Sequence, residues 1–327
     1  MNTKHSFWNR LFAALLLAVM LVTQTTTAFA VEDSPEPTEP SMVQAQDSDT
    51  GTEEAGEGTD TPEGGSLSEG PETALQTVSS LEELLQAIEQ AEAGATIGIG
   101  CEIVCPDGTV LGDTYKRVTL QRTAPEGHIS TYSPDGTGNV IIQAIDFDGG
   151  NVEATTPFVQ ASISTAYSEC HFSDCTAGAV EADNGDQNFG YCVFERNTAQ
   201  YGAHIRMNGG SANLFNCVLG RGTATIRGGA IACYTDQEVT LEKCSIWENT
   251  AAQHGGAIWN RGKLTITQST IHNNTVNGEP DDIVNEYSGQ LALMDDYDAL
   301  VALYATYGLI PNKWAVDTFI DESAEKP

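Results

Sequence analysis

Residues 227–233 read RGGAIAC and residues 254–260 read HGGAIWN. The two GGAI strings lie 27 residues apart, a period in the range that marks solenoids, propellers and repeat arrays. Weaker copies align with them. Ala179 sits in GAV, Ala203 in GAHI is displaced by one place, and DDI at Asp281–Ile283 is a degenerate last copy. The alanines are spaced by 24, 27 and 27 residues. A second column keeps the same period: CHFSD, CVFER, CVLGR, CSIWE and STIHN begin at Cys170, Cys192, Cys217, Cys244 and Ser269, spaced by 22, 25, 27 and 25. Two columns sharing one period argue for a repeating unit far more strongly than one tetrapeptide seen twice.

The contents of one period select the architecture. ANLFNCV (212–218), VTLEKCS (239–245) and KLTITQST (263–270) alternate apolar and polar residues, the pattern of half-buried strands. No segment within a period is long enough for a helix, which excludes ankyrin and tetratricopeptide units. The period is also shorter than the roughly 40 residues of a propeller blade. What remains is an all-β, right-handed parallel β-helix, a solenoid whose coils stack at about 4.8 Å. Fainter strands in GATIGIGCEIVC (94–105), KRVTLQR (116–122) and GNVIIQAIDFDG (138–149) extend the pattern toward the N-terminus. From Gly94 to Asn285 this gives roughly seven or eight coils, about 35 to 40 Å of stack.

In such a stack equal residues meet from coil to coil. Cys170, Cys192, Cys217 and Cys244, with Ser269 last, read as an interior column. Five residues into each repeat stand Cys175, Asn197, Gly222, Asn249 and Asn274. Their place at a turn suggests a left-handed backbone there, which Asn and Gly tolerate. The double glycine of GGAI marks a bend where a side chain would strike the next coil.

The ends differ in character. Lys4 and Arg10, the 12-residue apolar run Leu11–Val22 and the small-residue pattern Ala28-Phe29-Ala30 define residues 1–30 as a signal peptide. Its apolar run is too short for the roughly 20 residues of a membrane span, so the mature chain is expected to be exported without one. Residues 31–74 hold 13 acids and no Lys, Arg or aromatic residue, the composition of a disordered acidic linker. Of the whole chain's charges (−32 net), the remainder keeps 33 acids against 12 bases, a net of −21. That balance argues against nucleic acid as a partner. Residues 75–93 read as an N-terminal capping helix: Ser80 and Glu83 form a capping box, and Leu81, Leu84, Leu85, Ile88 and Ala91 share one face. The β-helix occupies 94–287, and 288–327 read as a C-terminal helical cap and tail, with Tyr297, Leu300, Val301 and Tyr304 helically spaced. Capping the raw ends of a stack prevents edge-to-edge association.

GGAI together with F-x-x-N, here Phe194-Glu-Arg-Asn197, resembles the repeats of chlamydial polymorphic outer-membrane proteins. It is similar also to secreted bacterial right-handed β-helix proteins of the pectin-lyase-like kind. The resemblance covers about Thr77 to Asn285 and implies the fold. Two coils depart from F-x-x-N, with Cys175 and Gly222 in place of Asn. The resemblance also brings in polysaccharide lyases and hydrolases. Of the N-T-D, D-D and G-H-G strings of the similar polygalacturonases, only DD occurs, at Asp281-Asp282. DFDGG puts Asp146 and Asp148 on one strand face, with no base near in sequence, whereas Arg196, Arg206, Arg221, Arg227 and Arg261 scatter without a repeated register. His171, His204, His254 and His272 occupy different places in the period and read as surface and turn residues, not a metal set. No residue is therefore assigned as catalytic, cofactor-binding or metal-ligating, and no cofactor is expected.

Eight cysteines in an exported chain invite disulfides. Residues stacked on parallel strands hold their Cβ atoms nearly 5 Å apart, beyond the ~3.8 Å a bridge prefers, so the four-membered column is expected to stay reduced. Cys101 and Cys105 are too far apart on one extended strand to pair, and Cys175 and Cys233 stay open. The expected function is that of a secreted or cell-surface, bacterial extracellular, adhesin-like protein, non-catalytic, presenting a rigid acidic surface to carbohydrate or to extracellular matrix and surface proteins. Tyr201, Trp247 and Trp259 are the candidate contacts, with Trp259, just after GGAI, equally readable as core. The alternative is a pectate-lyase-like or glycoside-hydrolase-like polysaccharide-degrading enzyme.

Overall fold

The computed structural model describes residues 75–287, 289–293 and 319–322. The signal peptide, the acidic linker and the helical spacing at 295–308 lie outside the described residues. Within them the chain is a right-handed parallel β-helix. One coil runs Val193–Glu195, Thr198–Tyr201, Ile205–Met207 and Ser211–Phe215, and the next begins at Val218–Gly220. These segments pair in parallel with their counterparts in neighbouring coils, Thr198–Tyr201 being the edge strand of its sheet, and give four sheets, here called 1 to 4 in that order, of nine, five, nine and eight strands. One antiparallel pair, Thr275–Val276 with Glu279–Pro280, closes sheet 2.

The stack has about nine coils, more than the seven or eight read from the repeats. The additional strands lie outside the limits Gly94 and Asn285. Gln76–Val78 precedes the N-terminal helix and pairs with Thr96–Ile99, and in the segment 288–327, read as helical, Gln290–Leu293 and Phe319–Glu322 continue sheets 4 and 3. Too short to show alternation, such strands carry no periodic signal of their own. The N-terminal helix, α1, spans Leu81–Gln90, with Ser80 as its N-cap accepting from the Glu83 amide at 3.2 Å. Glu83 reaches back to the amide and hydroxyl of Ser79, not Ser80, at 2.8 and 2.9 Å. Leu84, Ala87 and Ile88 are buried against the first coil, whereas Leu85 is 39% exposed and lies off the covered face.

Inward rows form the core. Phe147, Phe172 and Phe194 stack face to face at 4.6 and 4.7 Å, and the same row continues in register as Leu219, Ile246 and Ile271. Tyr167 and Phe189 form a parallel stack at 4.4 Å that meets the first edge-on. Each aromatic pair adds about 0.5–1.5 kcal/mol beyond burial. Beside them runs the cysteine column. Cys170, Cys192, Cys217 and Cys244 are buried, and each thiol points to a carbonyl of the coil before, on Ile142, Tyr167, Phe189 and Leu214, at 3.5–3.7 Å. Ser269 takes the last place, accepting from the Cys244 amide at 3.0 Å.

The left-handed corners are not at the asparagines. They fall one residue earlier, at Asp174, Arg196, Arg221, Glu248 and Asn273, with φ between 52° and 59°. A matching set, Glu169, Tyr191, Asn216, Lys243 and Gln268, precedes the cysteine column with φ between 48° and 56°. This conformation costs roughly 1–2 kcal/mol at a non-glycine residue. It turns the chain while most of the corner N–H groups still donate to the next coil, as Tyr191 does to Phe215 and Arg221 to Trp247. Freed from the corner itself, the asparagine side chains point inward. Asn197 Oδ1 accepts from the Cys175 amide at 3.0 Å and its Nδ2 donates to the Phe172 carbonyl at 3.0 Å. Asn249 and Asn274 repeat both bonds two and three coils on. The pair Asp281-Asp282 is part of this device: Asp282 Oδ1 accepts from the amide and side chain of Asn274, ending the ladder.

Gly222 leaves a rung without a side chain, and His204 fills it. Its Nδ1 accepts from Asn197 Nδ2 at 3.0 Å and its Nε2 donates to Asn249 Oδ1 at 3.1 Å. His204 is therefore buried and not a surface residue. A Cβ on Gly222 would stand 2.7 Å from its ring and 2.3 Å from the Gly229 carbonyl. The displaced Ala203 of GAHI belongs to the same substitution, since the residue after it enters the core.

Burial holds the His204 pKa down to about 3 against an ordinary 6.5. Between these values the unfolded chain binds a proton that the folded chain refuses, so stability falls as pH drops below 6.5 and this contribution levels off below about 3. The expected slope from His204 is about 1.4 kcal/mol per pH unit; urea unfolding from pH 7 to 4 measures it, and His204→Gln should flatten it. Removing a rung with Asn249→Ala leaves the buried Gly222 N–H unpaired and takes away a second bond to the Leu219 carbonyl, at a cost of about 1–3 kcal/mol in the same assay. All eight cysteines are free, and only Cys101 is partly exposed. Native alkylation followed by mass spectrometry should label Cys101 alone, and denaturant should release the other seven; bridges among the column would show the stacking to be wrong.

Candidate functional site

The GGAI motif positions a second set of side chains on the outside of the coil. Gly228 and Gly255 have φ of 66° and 63°, and a Cβ on either would meet a carbonyl of its own coil at 2.3 Å. Gly229 and Gly256 have no room for a side chain because the next coil's backbone lies within 2.0–2.4 Å of the would-be Cβ. The residues flanking these glycines are thus held in register on the corner between sheets 2 and 3. The residue before the glycine is Tyr201, Arg227 or His254 in successive coils, and Tyr201 pairs with Arg227 and Arg227 with His254. The outward residue after the motif is Arg206, Ala232 or Trp259, again paired in order, with Glu181 below and Val284 above.

Ala232 is small, and the space between Arg206 and Trp259 is filled from the sides. Tyr234 meets Trp259 edge-on at 5.1 Å, and Tyr201 lies 6.1 Å from both rings. The Arg206 guanidinium lies 5.6 Å from the centre of Tyr201 and 5.4 Å from that of Tyr234, 3.6 Å from Glu181. Arg227 and Arg261 cover Trp259 at 5.1 and 5.7 Å, and Arg261 also lies 4.6 Å over the exposed ring of Tyr287. Cation–π contacts of this kind contribute about 0.5–2 kcal/mol each, more where water is excluded. The buried carboxylate of Glu286 anchors the far side, 3.1 Å from Arg227 and 4.0 Å from His254. Burial raises the Tyr234 phenol above its ordinary pKa, against the pull of Arg206.

Three arginines that look scattered in the sequence therefore converge here. The remaining two are occupied elsewhere: Arg196 grips Asp174 through both ends at 2.9 Å, and Arg221 pairs with Glu248 while covering Trp247. Trp259, open between an exposed contact and the core, is 2% exposed beneath its arginines. Tyr201 and Trp247 are partly exposed. Nε of Arg206, Nε of Arg227 and Nε1 of Trp259 are buried and have no hydrogen-bond partner among the described residues. A cleft of about 480 Å³ opens directly beside this face. Its floor is made of small residues, among them Ala177, Gly178, Ala199 and Gly202, and Tyr201, Glu181 and Arg206 form its wall.

The paired acids of DFDGG are committed to the scaffold. Asp146 is ion-paired with Arg117, a base brought from the preceding coil, and Asp148 accepts from Gln121 Nε2 at 2.7 Å and from the Gly150 amide at 2.8 Å. His171, His254 and His272 are partly exposed and stand apart from one another in the coil. Among the described residues no group of three or more His, Cys, Asp and Glu is placed to hold a metal ion, and no helix is long and apolar enough to cross a membrane.

A family model described as a right handed beta helix region matches residues 137–281, which include the GGAI repeats, the amide ladder and most of this face. The chain is thus a right-handed β-helix repeat protein. No curated protein and no solved structure matches it.

The Arg227–Glu286 pair should be the energetic keystone of the face. Arg227→Ala strands a buried carboxylate and is expected to destabilise the fold by about 2–4 kcal/mol, with Arg227→Ala/Glu286→Gln recovering part of the loss. A double-mutant cycle by chemical denaturation measures the coupling; additive losses would show that the two groups act independently.

Proposed function

We propose that this is an exported, adhesin-like β-helix protein that binds carbohydrate, without turnover, along the corner between sheets 2 and 3. The observation that carries the reading is the aromatic and arginine face around Tyr201, Arg206 and Tyr234, set against a cleft with a floor of small residues. Aromatic faces pack against the C–H surface of a sugar ring, and arginine N–H groups donate to its hydroxyl oxygens. Successive coils offer such groups about 4.8 Å apart, near the length of one sugar residue, which suits an extended chain better than a single small molecule. The acidic balance of the chain favours a neutral glycan over a polyanionic one. The signal-peptide pattern of residues 1–30 supports a secreted or cell-surface setting.

The test is binding to an array of neutral and acidic glycans, followed by calorimetry on the best ligand. Tyr201→Ala and Arg206→Ala should each weaken binding tenfold or more while leaving the unfolding midpoint within a few degrees of wild type. Equal binding by both variants would remove the site from this face. Release of reducing ends or unsaturated products from a polysaccharide would replace the reading with the enzymatic one.

A further inference from the structure

The strand Val118–Arg122 faces the interior with Val118, Leu120 and Arg122, and all three are buried, Arg122 with 1% exposure. A guanidinium therefore occupies an inward position that the coil below fills with Ile99. In the coil above, the chain turns at Gly149-Gly150, where a Cβ on Gly149 would strike the Asp174 carbonyl at 2.1 Å. With no side chain there, the guanidinium reaches the loop that returns through Thr156 to Phe158. It lies 4.9 Å over the Phe158 ring, and one terminal nitrogen donates to the Thr156 carbonyl at 3.0 Å.

The remaining contacts do not balance. Nε and the second terminal nitrogen of Arg122 are buried without a partner, and so is Oγ1 of the adjoining Thr156. No carboxylate lies within 4.0 Å of Arg122 among the described residues. The nearest acid in the sequence of the next coil, Asp148, is taken by Gln121 and Gly150. Cys175 is the other ionisable group facing Arg122, and burial pushes its thiol up to about 12, so it brings no negative charge. A permanently charged group, enclosed by protein with one carbonyl and one ring face for partners and two nitrogens left unpaired, is costly unless a countercharge accompanies it. Water answers the demand poorly, because its own protons would then need acceptors.

We propose that Arg122 and Thr156 form a buried binding site for a small monovalent inorganic anion, chloride in ordinary media. Its ligands are Nε–H and an N–H of the second terminal nitrogen of Arg122 and the hydroxyl of Thr156. The anion stabilises the folded chain only, and the gain grows with its concentration.

The test uses the full chain. Thermal unfolding is followed at constant ionic strength while gluconate is replaced by chloride, and crystals grown in bromide are examined by anomalous scattering. The unfolding midpoint should rise by about 2–4 °C in a saturable manner, and bromide should appear within hydrogen-bonding distance of Arg122. Arg122→Met should lose both responses; if it does not fold, Thr156→Val, which removes one donor, should weaken the halide dependence severalfold. Identical midpoints in chloride and gluconate, with or without an adventitious bromide peak, would overturn the assignment.

Discussion

The fold depends on buried amides that close the corners of the coil. A parallel stack of short strands must turn sharply several times per coil, and each turn exposes backbone groups that the strands cannot pair. Here the corner residue takes a left-handed conformation and the next residue sends an asparagine side chain inward to bond the coil before it. One buried amide thereby satisfies a corner N–H and adds a second bond to a strand carbonyl of the coil before, and repetition converts a local turn into a column. Cysteine thiols perform a weaker version at the neighbouring corner, directed at carbonyls of the preceding coil. Aromatic and aliphatic rows add the bulk of the burial, but hydrophobic stacking alone does not fix register. A slip by one residue would place every asparagine against a carbon atom.

This economy tolerates one exception and shows what it requires. Where Gly222 withholds its side chain, His204 enters from a different part of the coil and bridges the rungs on either side. The imidazole reproduces an acceptor and a donor in the right order only when neutral. The ladder thus places a titratable group, held neutral by burial, inside the core. Its far end stops at Asp282, whose Oδ1 accepts from the amide and side chain of the buried Asn274.

The outer face obeys the same rule of repetition. Glycines that cannot carry a side chain fix the corner between sheets 2 and 3, and the residues on either side of them become neighbours across coils. Tyr201, Arg227 and His254 form one row; Arg206, Ala232 and Trp259 form another. The change in side chain along each row, from tyrosine to arginine to histidine, turns a structural repeat into a chemically distinct surface. A uniform row would make a uniform fibre-like face; variation at fixed register makes a place where a ligand could tell one coil from another.

The two columns of alanine and cysteine, read at a spacing of 22 to 27 residues, settled the architecture from the sequence alone, because a parallel stack forces equal side chains to meet and so leaves a period behind. The buried cysteines, the glycine corners and the helix at Leu81–Gln90 were legible for that reason. Other features left no period. The terminal strands are too short to alternate, His204 appears once, and Asp281-Asp282 resembles a site motif while serving as a cap. The convergence of Arg206, Arg227 and Arg261 on Trp259 was hidden because each stands at a different offset within its repeat and reaches the others by side-chain length and by the curvature of the coil. Periodicity reports what every coil must share, whereas the candidate site and the buried Arg122 are built from what single coils do differently, and only the three-dimensional packing brings those differences together.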